Sequence, residues 1–222
     1  MRRIVEPELM DEVEQARAYA HADFSEPNER FVALVAELWP GLAGGRVADL
    51  GCGPGDIALR LATRWPQARV DALDGSAAML ACAAEAAARE PQAAARVRFV
   101  RGLLPGTGLP AASYDLLTSN SLLHHLHDPA VLWEELRRLG RPGAAVLVMD
   151  LYRPDDEVAV ASIVAAYAGE EPEVLRRDFH ASLCAAFTPE EVREQLATAG
   201  LSTLEVRTVS DRHLIVHGRL FA

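Results

Sequence analysis

The sequence predicts an α/β fold, a mostly parallel sheet with helices packed on both faces. Three observations predict it. From residue 46 onward, short strand-like apolar runs alternate with segments of helical period. The strands are apolar almost throughout, as expected where both faces of a sheet are covered. The last two strand-like segments are separated only by Ser210-Asp211-Arg212, too short for a parallel crossover, so the sheet should end in an antiparallel hairpin. A chain of 222 residues can bury a substantial core as one domain.

The elements follow in order. The N-terminal 40 residues read as helical: Leu9, Val13, Ala16 and Ala20 recur at helical spacing. Phe31, Leu34, Val35 and Leu38 do the same between Pro27-Asn28 and Pro40-Gly41. Arg46–Leu50 is the first strand. A helix over Asp56–Trp65 carries Ile57, Leu61 and Ala62 on one face and is closed by Pro66. Arg69–Leu73 is the second strand, and Ser76–Arg89 the second helix of the repeat, with Ser76 as its N-cap. The Ala-rich run 77–95 suits a helix interrupted at Pro91. Strands follow at Val97–Arg101 and Tyr114–Ser119, then a helix at Pro129–Leu139 with Asp128 as N-cap and Pro129 at its first position. Ala144–Leu151 is the fifth strand. Pro189–Ala199 is a helix capped by Thr188, and strands over about 202–209 and 213–220 close the chain. The expected organisation is one domain: an N-terminal helical cap (1–42), a ligand-binding core (46–151), an inserted lid (152–187), and a C-terminal helix with hairpin (188–222). An insertion at the carboxyl edge of a parallel sheet is where a substrate lid belongs.

Composition narrows the function. The net charge is −10, with 22 arginines, no lysine and 39 alanines. A protein that grips a nucleic-acid backbone needs clustered positive charge, and the arginines are scattered, so no nucleic-acid partner is expected. No apolar run approaches the ~20 residues of a membrane span, and no apolar stretch follows Met1, so neither membrane insertion nor a signal peptide is expected. The reading is a cytoplasmic protein, monomer or homodimer. Cys52, Cys82 and Cys184 form no Cys-x-x-Cys pair, which argues against a zinc site or a disulfide framework.

The most informative stretch is Val47-Ala-Asp-Leu-Gly51-Cys-Gly53-Pro-Gly55-Asp, which leaves a strand and opens a helix. Glycines there let backbone pass close to a ligand where a Cβ would collide, and the helix start exposes unpaired N–H groups. Gly53-Pro-Gly55-Asp-Ile-Ala58 also fits a dinucleotide fingerprint. Against that, Asp56 stands where a packing glycine belongs, and Asp49 would repel a pyrophosphate but attract a cation. Asp74 ends the second strand, where an acid accepts two hydrogen bonds from a ribose diol. Met79 is placed to pack on an adenine face. A turn-capping role is the structural alternative for Asp74.

With Asp49-Leu-Gly51-Cys-Gly53-Pro-Gly55, Asp74-Gly75-Ser, Tyr114-Asp-Leu-Leu-Thr-Ser-Asn120 and Arg141-Pro-Gly143 in order, the chain resembles the class I S-adenosylmethionine-dependent methyltransferases over roughly residues 46–151. The resemblance implies a doubly wound seven-stranded sheet of order 3-2-1-4-5-7-6 with strand 7 antiparallel. It implies S-adenosyl-L-methionine as cofactor and S-adenosyl-L-homocysteine as product. The glycine loop, with Asp49, Gly51, Cys52, Gly53 and Gly55, would wrap the methionine part. Asp74 and Gly75 would hold the ribose, and Asn120 and Ser121 would run past the methyl group. The family commonly has Gly-Asp-Ala after the third strand; here it is Gly102-Leu103-Leu104, so adenine would be held by apolar contact and backbone amides. Tyr19, in a region that in relatives folds over the cofactor, offers an aromatic face for a sulfonium cation or simply packs on the sheet.

Methyl transfer from a sulfonium is an in-line displacement that needs alignment above all, with a base only if the nucleophile holds its proton. Three of the seven histidines, His124, His125 and His127, lie in four residues. Adjacent histidines point in different directions, so no metal is expected. His124 or His125 is the candidate base or hydrogen-bond donor, against a purely structural role. In the expected lid, Tyr152, Arg153, Arg176, Arg177 and His180 could meet an anionic substrate or simply be solvated. The leading function is methyl transfer to a small-molecule acceptor. A carboxy-S-adenosylmethionine synthase-like enzyme and a non-catalytic cofactor-binding protein are the alternatives.

Overall fold

The computed structural model describes residues 1–42 and 44–221; Ala222, the last residue of the expected hairpin segment, lies outside them. Seven strands form one sheet of order β3-β2-β1-β4-β5-β7-β6. They are β1 (Gly45–Leu50), β2 (Ala68–Asp74), β3 (Val97–Arg101), β4 (Tyr114–Asn120), β5 (Gly140–Leu151), β6 (Glu205–Thr208) and β7 (His213–Arg219). The first five are parallel, and β7 runs antiparallel between β5 and β6. The expected order and the hairpin are both present.

Side chains along a strand alternate between faces, and the sheet shows it. Ala48, Val146, Val148 and Val216 pack on one side with α6 (Ala130–Leu139) and α9 (Pro189–Thr198) through Trp133, Leu136, Val192 and Leu196. Val47, Ala145, Leu147 and Ile215 pack on the other with α2 (Ser25–Leu38) and α3 (Asp56–Arg64) through Phe31, Val35 and Leu61. Helix α4 (Ala77–Arg89) is capped by the Ser76 hydroxyl, which accepts from the Met79 N–H, and the four-residue α5 (Pro91–Ala94) follows the Ala-rich run. Thr188 and Glu191 form a capping box at α9.

Two expectations shift. Pro129 occupies the cap position of α6 rather than its first turn, and the Asp128 carboxylate, one residue earlier, accepts from the Ala130 N–H. More consequential is the N-terminus. Helix α1 spans only Val13–His21, and α2 begins at Ser25, ahead of Pro27. Residues 1–12 form an extended strap. Pro7 cannot donate the helical bond, and the strap satisfies its backbone elsewhere: the Ile4 N–H donates to the Cys184 carbonyl. Arg3 pins it, donating to the carbonyls of Ala185, His124 and Leu126 and stacking on the Phe187 ring at 3.9 Å.

The stretch 152–187 holds two helices, α7 (Glu157–Ala168) and α8 (Glu173–Ala185), which pack through Val160 and Leu183 against Leu151 and Met1. No helix among the described residues is long and apolar enough to cross a membrane.

Arg3→Ala removes three hydrogen bonds that hold the strap but little core. The Ile4 amide should then exchange with solvent at least tenfold faster, with a fall in melting temperature of only about 2–4 °C per kcal/mol lost. Unchanged exchange at Ile4 would show that Arg3 does not hold the strap.

Candidate active site

The carboxyl ends of β1, β2, β4 and β5 line up at one edge, because Asp49 is in register with Ala72 and Thr118, and Asn120 with Met149. After β1 the chain proceeds outward to β2 and β3, then returns on the other side of β1 as β4. Ligands bind outside the strand ends at such a switch point.

The glycine loop is built there. The N–H groups of Gly51 and Cys52 both donate to the Leu73 carbonyl, which ties the loop to the end of β2. Gly53 and Gly55 have φ of +52° and +83°. Open space lies beside Gly53, whereas a Cβ on Gly55 would fall 2.8 Å from the Phe99 ring. Gly55 is therefore a packing glycine, and Gly53 borders the ligand side. Asp74 braces the loop: its Oδ2 accepts from the Gly53 N–H and its Oδ1 from the Ser76 N–H, both at 2.8 Å. A carboxylate has about four acceptor sites, so Asp74 keeps acceptor capacity beyond these bonds. Ser121, at φ +54°, holds a backbone conformation that non-glycine residues rarely adopt.

Two buried carboxylates face different fates. Asp71, in the middle of β2, accepts from Arg98, Tyr114 and Arg46. Burial would raise its pKa, but those partners hold it below the ordinary carboxylate range. Asp49 is 2% exposed and receives one bond, from the Thr118 hydroxyl at 2.8 Å. Its Oδ2 and the Oδ1 of Asn120 are buried without a hydrogen-bond partner among the described residues. Burial, and less so the charge of Asp74, pushes Asp49 up to about 7, with Thr118 opposing. Burial raises Asp74 as well, against the Ser76 and Gly53 amides. Both orphaned atoms are acceptors, so the group that completes them must donate and is best cationic. An α-ammonium fits.

Tyr19 stands within reach of these charges: burial first, then Asp150 and Asp74, push its phenol up to about 12. Gly102 donates to the Asp74 carbonyl, and Leu103 and Leu9 both come within 2.7 Å of where a Gly75 Cβ would sit. Met79 is buried under the first turn of α4, Leu104 packs on the core, and burial drives the Cys52 thiol well above its usual pKa.

Among known proteins, residues 47–143 match a methyltransferase domain family. A trans-aconitate 2-methyltransferase of Azoarcus sp. is 42% identical over 111 residues, 50% of this chain and 40% of that one. Another, of Methylobacterium nodulans, is 34% identical over 160 residues, 72% of this chain and 58% of that one. The chain thus spans about half the length of these curated relatives. Residues 47–143 are thus similar to methyltransferase domains. The fold is also that of an S-adenosylmethionine-dependent methyltransferase from Aquifex aeolicus, which superposes with a TM-score of 0.67 at 19% identity, covering 92% of this chain and 97% of that one. Phosphoethanolamine N-methyltransferase 2 of Haemonchus contortus, solved with phosphomonomethylethanolamine and S-adenosylhomocysteine, gives 0.63 at 22% identity over 81% of this chain and 38% of that one.

In the structure the two candidate histidines separate. His124 is 3% exposed. Its Nδ1 meets Asp150 Oδ1 at 2.5 Å, and its Nε2 lies 3.4 Å from Glu6 Oε1. Burial works against the charged ring, but Asp150 and then Glu6 outweigh it and raise its pKa. Carboxylates face both of its ring nitrogens, so it is poorly placed to take a proton from an acceptor. His125 stacks on it at 4.2 Å and is pushed down to about 3 by burial and by His124, so its ring is neutral.

The lid candidates do not gather at the site. Arg153 is buried by donating to the Met1 and Ala186 carbonyls and to Glu191. Tyr152 donates to the Asp211 carbonyl, Arg176 to Gly169, and Arg177 lies 3.7 Å from Asp178. His180 lies between Glu157 and Cys184. Two residues were passed over in the sequence, Asp150 and Glu6. Asp150 had the signal that exposed Asp49 and Asp74, an acid ending an apolar parallel strand. Glu6 had none.

Lifting a carboxyl from 3.8 to about 7 means the fold disfavours its ionised form by on the order of 4 kcal/mol. The stability lent by protonated Asp49 is present at low pH and lost as pH rises through about 7. Asp49→Asn cannot ionise. Its melting temperature should exceed that of the natural protein at pH 8, by a margin that narrows at pH 5, while S-adenosylhomocysteine binds at least tenfold more weakly at pH 8. A margin that does not vary with pH would contradict this placement of the charge.

Proposed function

We propose that the protein transfers a methyl group from S-adenosylmethionine to a small-molecule acceptor in the cytoplasm. The observation that carries this reading is the pair of orphaned buried acceptors, Asp49 Oδ2 and Asn120 Oδ1, beside a glycine loop braced by Asp74. Asp49 and Asn120 would receive the ammonium of the cofactor's methionine part. Asp74 would take the ribose diol, and Leu103 and Gly102 would border the adenine. The cofactor supplies an activated methyl on a sulfonium, so the protein's task is to align the acceptor and exclude water. The strap, α1 and α8 do the excluding. Ser76 Oγ donates to the Met10 carbonyl and to Asp11, which closes the strap over the end of β2.

A small acceptor suits a site closed by one strap and two helices. The net charge of −10 suits no nucleic-acid substrate. The free thiols Cys52, Cys82 and Cys184 suit a reducing compartment.

Asp74→Ala should weaken S-adenosylhomocysteine binding by ~1–3 kcal/mol in calorimetry, with methyl transfer falling in step and the fold intact by melting curve. Unchanged affinity in a folded variant would remove Asp74 from the cofactor site. Mass analysis of spent cofactor should show S-adenosylhomocysteine; a carboxylated cofactor would favour the synthase-like chemistry instead.

A further inference from the structure

The strap, α1 and α8 line a half-open pocket of about 400 Å³. It abuts the cofactor site: Leu9, in its wall, lies against Gly75, Asp11 bonds Ser76, and His125 belongs to the turn that follows Asn120 and Ser121. Its charged lining is one-sided. Glu6, Asp11, Glu12 and Asp178 face it, with no arginine in the wall. The arginines that act on these acids are engaged or outside the wall: Arg3 donates to three backbone carbonyls, Arg177 is three-quarters exposed at 3.7 Å from Asp178, and Arg101, whose charge acts on Asp11, donates to the Gly75 carbonyl. His125, the one basic group in the wall, is neutral.

Glu6 is the member held in place. Its Oε1 accepts from the Ser182 hydroxyl at 3.1 Å and lies 3.4 Å from both His124 Nε2 and His125 Nδ1. Behind His124 stands Asp150. The groups that face Glu6 are thus Arg3 from the strap, His124 and His125 from the turn after β4, Asp150 from β5, and Asp178 and Ser182 from α8. Two carboxylates, Glu6 and Asp150, flank the one His124 ring, and Glu6 stands on its cavity side.

We propose that the acceptor is an alkyl amine that arrives as a cation, with Glu6 binding its ammonium and taking its proton. This rests on the methyltransferase reading and names the substrate class of the same site. A protonated amine has no lone pair to attack with. One N–H proton passes to the Glu6 carboxylate and on to solvent. The freed nitrogen pair forms the new bond to the methyl carbon as that carbon's bond to sulfur breaks, and sulfur keeps the bonding pair. Burial raises the pKa of Glu6 against the pull of His124, the direction that suits a proton acceptor. A tricarboxylate such as the trans-aconitate of the curated relatives would meet four carboxylates here and no arginine among the described wall residues.

The test uses three probes: phenethylamine, its carboxylate counterpart 3-phenylpropionate, and trans-aconitate. Each is titrated by calorimetry at pH 7 into protein saturated with S-adenosylhomocysteine, and each is offered for turnover with S-adenosylmethionine. Phenethylamine should bind at least tenfold more tightly than either anion and be the one methylated. Glu6→Gln should abolish its turnover. Glu6→Gln and Asp178→Asn should each cut the binding preference at least fivefold, with S-adenosylhomocysteine affinity within twofold of the natural protein. Equal or tighter binding of an anion, no binding of phenethylamine at millimolar concentration, or a preference that survives both substitutions would overturn the proposal. S-adenosylhomocysteine binding is measured first; its absence would overturn the methyltransferase reading, and the amine proposal with it.

Discussion

A carboxylate at the end of the central strand is kept among apolar neighbours with a single hydroxyl to share its charge. That constraint on Asp49 governs the site. Its neighbours Leu50, Ala48 and Thr118 are fully buried, because β1 lies between β2 and β4 with helices over both faces. Water cannot solvate it, and no arginine reaches it as Arg98 and Arg46 reach Asp71. The chain therefore holds a strong, unspent preference for a donor at the topological switch point. Asp74 adds a second, partly buried acid one strand away, and its charge raises Asp49 further. Part of the free energy that could have stabilised the fold is thus held back for a cation.

The second organising feature is the strap. Residues 1–12 connect parts of the molecule that are far apart in sequence: α8 through Ile4 and Glu6, the turn after β4 through Arg3, Glu6 and Pro7, and the start of α4 through Asp11. These contacts are mostly hydrogen bonds rather than buried apolar area, and Ile4, Val5 and Leu9 remain exposed. An element held that way opens at lower free energy than the sheet beneath it. Such an element can admit a substrate and close over it while the cofactor platform stays rigid.

The fold was legible because its signals are local and repeated. Near-continuous apolar strands, Gly-rich turns and the short Ser210-Asp211-Arg212 connection fix a parallel sheet with one hairpin, and the structure has both. The cofactor half was legible because strand-end acids and glycines lie within one β-turn-α unit. The other half was not. Glu6 meets His124 across 118 residues, and that contact depends on an extended strap whose path is set by Arg3 bonding to distant carbonyls. Helical spacing of Leu9 with Val13 and Ala16 pointed the wrong way, since Pro7 and the backbone bonds to α8 override it. The lid arginines looked available as a list of charges. Arg153 is instead a structural tie between Met1, Ala186 and Glu191, which only tertiary packing reveals.

The central claim is that Asp49 waits partly protonated for a cationic ligand and ionises when the ligand arrives. Calorimetric titration of S-adenosylmethionine at pH 6.5, repeated in two buffers of different ionisation enthalpy, counts the protons exchanged. The ligand's own α-amino group is already protonated at that pH. With Asp49 at about 7 in the free protein, binding should release roughly 0.8 proton, and the release should vanish in Asp49→Asn. Tight binding with no proton release from the natural protein would contradict the account.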